Sequence, residues 1–259
     1  MQLFNESRPL RVFADSKEIA TYNRIKANGR ANMTLLPDFY EVEIYNVSDE
    51  DTAIIKSSKK VSVYVNELSL IFTGFIEDVY THEEGSNIVT SISVNDGMDF
   101  WSSKVNMAVG KGSYMKDVLQ KLIGSKQLGA FMVSDVRLDR GQAFVGGIMD
   151  YINYIAKSVN GRAFITQNVL FVVEKGKYVN LYRIEDKDVI TTPSTVGDVL
   201  ILKPVVNGYS VGGIVIYENV QYRIIAQSIN LDNMDGDWEI KMILVNENNI
   251  TKEEMGGGW

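Results

Sequence analysis

Apolar and polar positions alternate along much of the chain, and this period of two predicts strands over roughly the first 95 residues. Residues 40–45 set Tyr40, Val42 and Ile44 against Glu41 and Glu43, as a half-buried strand requires. Val61, Val63 and Val65 repeat the period, and Leu68, Leu70 and Phe72 resume it. Ile88, Thr90, Ile92 and Val94 form a further strand, with Ser91 and Ser93 on its opposite face. The polar stretch 81–87, which contains His82, Glu83, Glu84 and Gly85, is expected to be the loop of the hairpin between the last two. One short helix interrupts this sheet. Ser48 offers a cap, Asp49, Glu50 and Asp51 face the positive end of the helix dipole, and Lys56, Lys59 and Lys60 follow near its negative end.

The pattern changes at Asn95-Asp96-Gly97. Ser113 is the expected N-cap of a helix over 114–123, with Gly124 where a terminating glycine belongs. Met115, Val118, Leu119 and Leu122 share one face of it, so the helix docks on a core. A second helix is predicted over 147–159, with Ile148, Ile152, Ile155 and Val159 as its stripe and Gly161 ending it. Residues 163–165 and 169–173 then read as a hairpin turning at Gln167-Asn168. From about residue 176 the strand pattern returns at 199–202, 213–217, 222–225 and 238–245, and its short, Gly- and Asn-broken strands suggest a small barrel. The expected class is therefore α+β, mainly β, with two small tube-like β-barrel units flanking a small α/β unit that carries two amphipathic helices. Its divisions fall at 1–95, 96–175 and 176–246, followed by a polar tail at 247–259.

Composition narrows the chemistry. With 259 residues, 45% of them hydrophobic and 23% charged, the chain can bury a sizeable core. Its formal charge of -7, from 26 basic and 33 acidic residues, is not the footprint of a nucleic-acid or anionic-membrane binder. Cys is absent, which excludes disulfides, thiolate zinc sites and cysteine nucleophiles. His82 is the single histidine, so two-histidine metal sites within one chain are excluded, and a Ser-His-Asp triad would have to use it. Residues 1–8 lack the basic and apolar regions of a signal peptide, and no apolar run approaches the roughly 18 residues of a membrane span.

Four clusters invite a chemical reading. Residues 231–237 hold Asp232, Asp235 and Asp237, but setting Gly236 at position 6 of a calcium loop puts Leu231 and Met242 at ligand positions 1 and 12. A hairpin loop with Asp-Gly turn chemistry fits better. Acids such as Glu41, Glu43, Glu83, Glu84 and Glu239 read as solvated faces rather than a catalytic pair. Gly110-Lys111-Gly112-Ser113 precedes a helix without the P-loop spacing, and Gly146-Gly147 is only a turn signal. Trp259, after three glycines, is either a partner anchor or a frayed end. No residue is assigned a catalytic, cofactor-binding or metal-binding role, and no cofactor is expected.

The order of these pieces resembles the baseplate hub proteins of contractile phage tails and related phage-tail-like particles, the late-control-D-like group. Residues 40–48 followed by acids and Ile54-Ile55-Lys56 are similar to that group's strand, Asn-containing turn and short helix. Leu70-Ile71-Phe72-Thr73-Gly74-Phe75-Ile76 resembles its L-x-F-x-G-x-I strand, and 112–119 its capped helix. Residues 164–170 look like the hairpin that closes its middle unit, while Leu202-Lys203-Pro204, Tyr222-Arg223-Ile224 and 232–238 look like its last barrel.

The resemblance implies a non-enzymatic homotrimer whose six tube-like units form a pseudo-sixfold ring between a sixfold tail tube and a threefold central spike. Its implied partners are the tail tube protein, the central spike protein, other baseplate proteins and a tape measure protein. DNA would pass through the lumen in a true phage, and the particle, phage or bacteriocin, would assemble in the bacterial host cytoplasm. Many relatives carry fused wall-hydrolase domains; the chain stops before one, so lytic activity is not expected. A carbohydrate- or receptor-binding tail module, testable by glycan binding, and a cell-wall hydrolase remain the alternatives.

Overall fold

The structure is a computed structural model, and it describes residues 9–20, 23–66, 69–97, 100, 103–124, 128–134, 136–234 and 236–247. Its first part contains β1 (Leu10–Ala14), β2 (Lys17–Ile19), β3 (Ile25–Asn32), β4 (Phe39–Tyr45), α1 (Asp49–Ser57), β5 (Lys60–Val65), β6 (Ser69–Glu84) and β7 (Asn87–Asn95). The middle part contains β8 (Lys104–Val109), α2 (Met115–Ile123), β9 (Gly129–Met132), β10 (Gln142–Gly147), α3 (Ile148–Ser158), β11 (Gly161–Thr166) and β12 (Val169–Glu174). The last part contains β13 (Leu181–Arg183), β14 (Ser194–Val196), β15 (Val199–Leu202), β16 (Ile214–Tyr217), β17 (Val220–Asp232) and β18 (Trp238–Asn246). The class is α+β and mainly β.

The first and last parts share one sheet of 13 strands, ordered β14-β15-β18-β17-β3-β4-β7-β6-β5-β1-β2, with β16 also on β17 and β13 on β16. The seam between them is the antiparallel pair β3–β17, running from Ala226↔Asn32 to Asp232↔Lys26. One hydrophobic core lies beneath both parts, joining Val12, Ile44 and Phe72 to Leu202, Ile229 and Leu244. The middle part has its own core, where Val118 and Leu119 of α2 meet Ile148, Ile152 and Ile155 of α3 beside Phe144 and Leu170. Both helix stripes therefore face inward, as their spacing requires.

Local signals account for most element ends. Ser48 Oγ accepts the Asp51 amide at 3.1 Å and starts α1. Gln167 and Asn168 take φ of 53° and 60°, as a type I′ turn demands of its two central residues.

Other expectations need correction. The α2 cap is Tyr114, without a side-chain bond; Ser113 lies one residue before it, its amide on Gly110 O and its carbonyl accepting the Leu138 amide at 2.9 Å. Gly124 is right-handed at φ −57°. After α3 the left-handed residue is Asn160 at φ 50°, while Gly161 already belongs to β11, where a Cβ would overlap the Val173 carbonyl.

The expected loop 81–87 is mostly strand. β6 and β7 stay paired to Glu84↔Asn87, leaving a two-residue turn in which Gly85 takes φ 63°. Leu68 lies outside the described residues. A bulge where Val63 and Tyr64 face β6 turns Ile71 inward and leaves Leu70 half-buried. On β7, Ile88 is exposed and Ser91 is buried, because packing covers both faces of that strand further along.

Candidate assembly edges and buried joints

Strand ends are where a sheet can accept a partner, because an edge leaves alternate backbone N–H and C=O groups unpaired. Within the large sheet, the run β14-β15-β18-β17-β3-β4-β7-β6 has such an edge at each end. At one end, β14 pairs only with β15, and its residues Ser194, Thr195 and Val196 are all exposed. At the other, β6 outruns its neighbour β5. Phe75 pairs with Lys60, and Ile76 N–H reaches Lys59 O at 2.9 Å. Residues 77–84 then have β7 on one side and no paired strand on the other among the described residues.

This free half-strand is solvated but ordered. Glu77, Asp78, Tyr80, Thr81, His82, Glu83 and Glu84 are exposed, and a bulge precedes Asp78. Charges and bulges of this kind discourage indiscriminate strand pairing. The Val79 N–H is taken by the Asp78 carboxylate at 2.9 Å. The His82 ring stacks on Tyr80 at 5.6 Å, and the Tyr45 hydroxyl donates to Glu84 at 2.8 Å. Lys26 lies 4.9 Å from the Tyr45 ring centre and 3.4 Å from Glu43, and its hydrogen bond with the Tyr45 hydroxyl raises its pKa.

Sequence reasoning missed two buried joints: one fastens the middle part to the sheet, and the other, within the last part, lies against it. The first lies between the ends of β4 and β7. Asp38 N–H donates to Asp96 Oδ1 at 2.8 Å, and Asp96 N–H donates to the Asp38 carbonyl at 3.2 Å. The Asn32 amide donates to Asp38 Oδ1 at 2.9 Å, and the Gln167 amide, from the β11–β12 turn, donates to Asp96 Oδ2 at 3.0 Å. Both carboxyls are buried, and Asp38 Oδ2 has no hydrogen-bond partner. Burial, reinforced by the neighbouring Asp96 charge, pushes Asp38 up to about 9; burial pushes Asp96 up to about 7. Beside the pair, the Ile165 amide donates to Thr34 O at 2.9 Å, and Leu35 packs in the core of the middle part.

The second joint centres on Arg223 of β17. Its Nε and Nη2 grip Glu247 at 2.7 and 2.5 Å, Nη1 donates to Gly212 O and Nη2 to Lys177 O, both at 2.8 Å. Met33, Gly161, Arg162 and Val173 line the small cleft beside it.

The clusters singled out in the sequence find structural uses. Asp232 pairs with Arg24 at 2.5 Å and accepts the Met234 amide at 3.0 Å. Asn233 accepts the Ile25 amide at 2.8 Å and donates to Asn23 O at 3.0 Å. This hairpin loop thus clamps the start of β3; Asp235 lies outside the described residues. Among the described residues, no three His, Cys, Asp or Glu side chains stand where they could hold a metal ion. Glu43 pairs with Lys26 and Glu239 with Lys203, so two of the surface acids join ion pairs. Gly112 is a left-handed turn residue at φ 83° ahead of α2, whereas Gly146, at φ 137°, belongs to β10 just ahead of α3 and pairs with Val105. Trp259 lies outside the described residues.

No protein-family model matches the chain, and no curated protein matches it in sequence. Solved structures do. A tail protein from Neisseria meningitidis MC58 superposes with a TM-score of 0.62 at 12% identity, over 93% of this chain and 96% of that one. The 43 kDa tail protein of prophage MuSo2 from Shewanella oneidensis gives 0.65 at 9% identity, over 93% and 98%. The chain has the fold of a phage tail protein. A component of the Escherichia coli type VI secretion system, itself described as similar to T4 bacteriophage tail proteins, gives 0.58 at 11% identity, over 92% of this chain and 76% of that one. The phage-tail fold thus extends to a secretion machine, and its sequence signature is faint enough that shape carries the likeness.

Proposed function

We propose that the chain is a structural subunit of a phage tail or phage-tail-like particle. In this reading it is a baseplate hub protein, three copies of which close a pseudo-sixfold ring between a sixfold tail tube and a threefold central spike. Its partners are then the tube protein, the spike protein and other baseplate proteins, and its place is the baseplate of a particle assembled in the host cytoplasm. The division into units 1–95, 96–175 and 176–246 is part of the same reading.

The observation that carries it is the edge-to-edge fusion of two β units through β3–β17, with a free edge at each end of the run. Two unlike edges on one subunit make a head-to-tail contact, which closes into a ring when the rotation allows. The free half of β6 in one copy would pair with β14 of the next, and three copies would supply six β units. Among the described residues, no helix is long and apolar enough to cross a membrane.

Native mass spectrometry over a concentration series tests the ring. A species at three times the chain mass is expected. Thr81→Pro tests the seam: with the Val79 amide turned away from β7, strand alternation turns the Thr81 amide outward as well. Proline there removes an outward donor while sparing the pairing with β7, so it should abolish the trimer and leave a folded monomer. A wild-type chain that stays monomeric with tube and spike proteins present would overturn the ring.

A further inference from the structure

The buried carboxyl pair at the first joint is a poorly compensated charged site among the described residues. Asp38 is 2% exposed and Asp96 0%. Two carboxylates in van der Waals surroundings repel each other and lose their hydration, and neither cost is offset unless a cation or enough donors face them.

The donors are present but unequally shared. Asp96 accepts the backbone amides of Asp38 and Gln167, whereas Asp38 is met by the backbone and side chain of Asn32 alone and its Oδ2 is left over. Among the described residues no cation balances them: the charged group acting on Asp38 is Asp96 itself, and the field at Asp96 comes from burial and backbone amides. From β4 the titratable neighbour is Tyr40, whose hydroxyl is pushed up by burial and then by both carboxylates. From β7 comes the uncharged Asn95, whose side chain meets Glu77 of β6 at 3.5 Å. The β11–β12 turn contributes Gln167 and the buried Asn168.

We propose that Asp38 and Asp96 form a proton-operated latch that fastens the α/β unit to the β sheet, closed while the pair keeps one proton and opened when that proton leaves to solvent. The single-proton state suits the donor set: Asp96, ionised, accepts two amides, and Asp38, neutral, tolerates its unpartnered oxygen. Loss of the remaining proton leaves two buried like charges. Relief comes most directly by withdrawing the 33–38 loop, with Leu35, and the 167–168 turn, because these segments meet across the pair. This latch does not depend on the ring proposed above.

Hydrogen exchange of the full chain at pH 6.5 and 9.5, corrected for intrinsic rates, tests it. Amides of residues 32–38 and 163–168 should lose at least tenfold more protection at pH 9.5 than those of β17 and β18. Asp38→Asn, which carries the shape of the protonated acid but cannot ionise, should keep its protection at both pH values. Equal loss in β17 and β18, no pH effect in wild type, or an undiminished effect in Asp38→Asn would each overturn the latch. Should that variant not fold, the wild-type contrast between the joint and β17–β18 decides alone.

Discussion

The two buried joints where the α/β unit meets the sheet handle buried charge in opposite ways. At one, Arg223 and Glu247 meet as opposite charges, and the guanidinium donors left over are taken by two carbonyls. At the other, Asp38 and Asp96 meet as like charges with one oxygen left over. A buried ion pair with its remaining donors satisfied is set once by folding. A buried acid pair is conditional, because its cost depends on how many protons it holds. The Arg223 joint is therefore expected to be indifferent to neutral pH, and the Asp38–Asp96 joint to respond to it.

Breaking the satisfied joint should have the largest effect. Arg223→Met leaves the Glu247 carboxylate, whose side chain is 13% exposed, and the carbonyls of Gly212 and Lys177 without their donor. Removing one partner of a buried pair costs about 3–5 kcal/mol. Denaturant midpoints should fall accordingly, and adding Glu247→Gln should restore part of the loss. A drop under about 1 kcal/mol would mean that water already reaches the pair.

The like-charge joint predicts a pH profile. Both acids have folded-state values raised above those of the unfolded chain, to about 9 for Asp38 and about 7 for Asp96. A raised acid binds its proton more tightly in the folded state, so its contribution is whole below about pH 4 and is lost as pH rises through the folded value. Stability should therefore decline steadily from pH 5 to pH 9, the window between the unfolded and the folded values of the pair. Melting scans across that range, alongside Asp38→Asn, check it. The variant should flatten the decline, whereas Arg223→Met should lower the whole curve without changing its slope.

Backbone shape contributes at the same boundary. Gly212, whose carbonyl Arg223 holds, sits at φ 80°, and a Cβ there would overlap the ring of Phe164. Gly212→Ala should cost about 2 kcal/mol, from the left-handed penalty of about 1 kcal/mol or more plus displacement of a buried ring. Thermal unfolding of the variant measures this. Gly176→Ala, also left-handed at φ 78° but in open space, isolates the conformational part.

Neither joint was legible in the sequence, and the reason is distance along the chain. Ser48 with its following acids, the Gln167-Asn168 turn and the two helix stripes are local patterns, and the structure uses each where the pattern puts it. Asp38 follows Pro37, and Asp96 stands between Asn95 and Gly97, so both look like ordinary turn residues. Only the fold brings them together across 58 positions. The β3–β17 seam that merges the two β units joins residues about 200 positions apart, and the Ile25–Asn233 bond beside it spans 208. No periodicity reports such a pairing, because alternation sets which face is buried and not which neighbour lies alongside. Bulges escape for a related reason: the extra residue at Ile71 shifts a face without altering composition. The free half of β6 was misread because polar, charged residues on an edge look the same in sequence as a loop.

A surface pair of matching geometry gives the smallest effect and the sharpest control. Arg11 grips Glu18 through Nε at 2.6 Å and Nη2 at 2.7 Å, the same two-pronged contact that Arg223 makes with Glu247. Here, however, the side chains are 36% and 27% exposed, against 5% and 13% at the joint. The Arg11 guanidinium holds Glu18 below the usual carboxylate range, so its small contribution is present near neutral pH and lost as pH falls through that depressed value. Water competes for both partners, salt screens them, and exposed pairs of this kind contribute about 0.2–1 kcal/mol. Glu18→Gln should therefore lower stability by less than about 1 kcal/mol at neutral pH, and the difference should shrink in 1 M salt as the Debye length falls to about 3 Å. If Glu18→Gln instead costs as much as Arg223→Met, geometry rather than burial sets the strength of these pairs, and the contrast between the joints loses its physical basis.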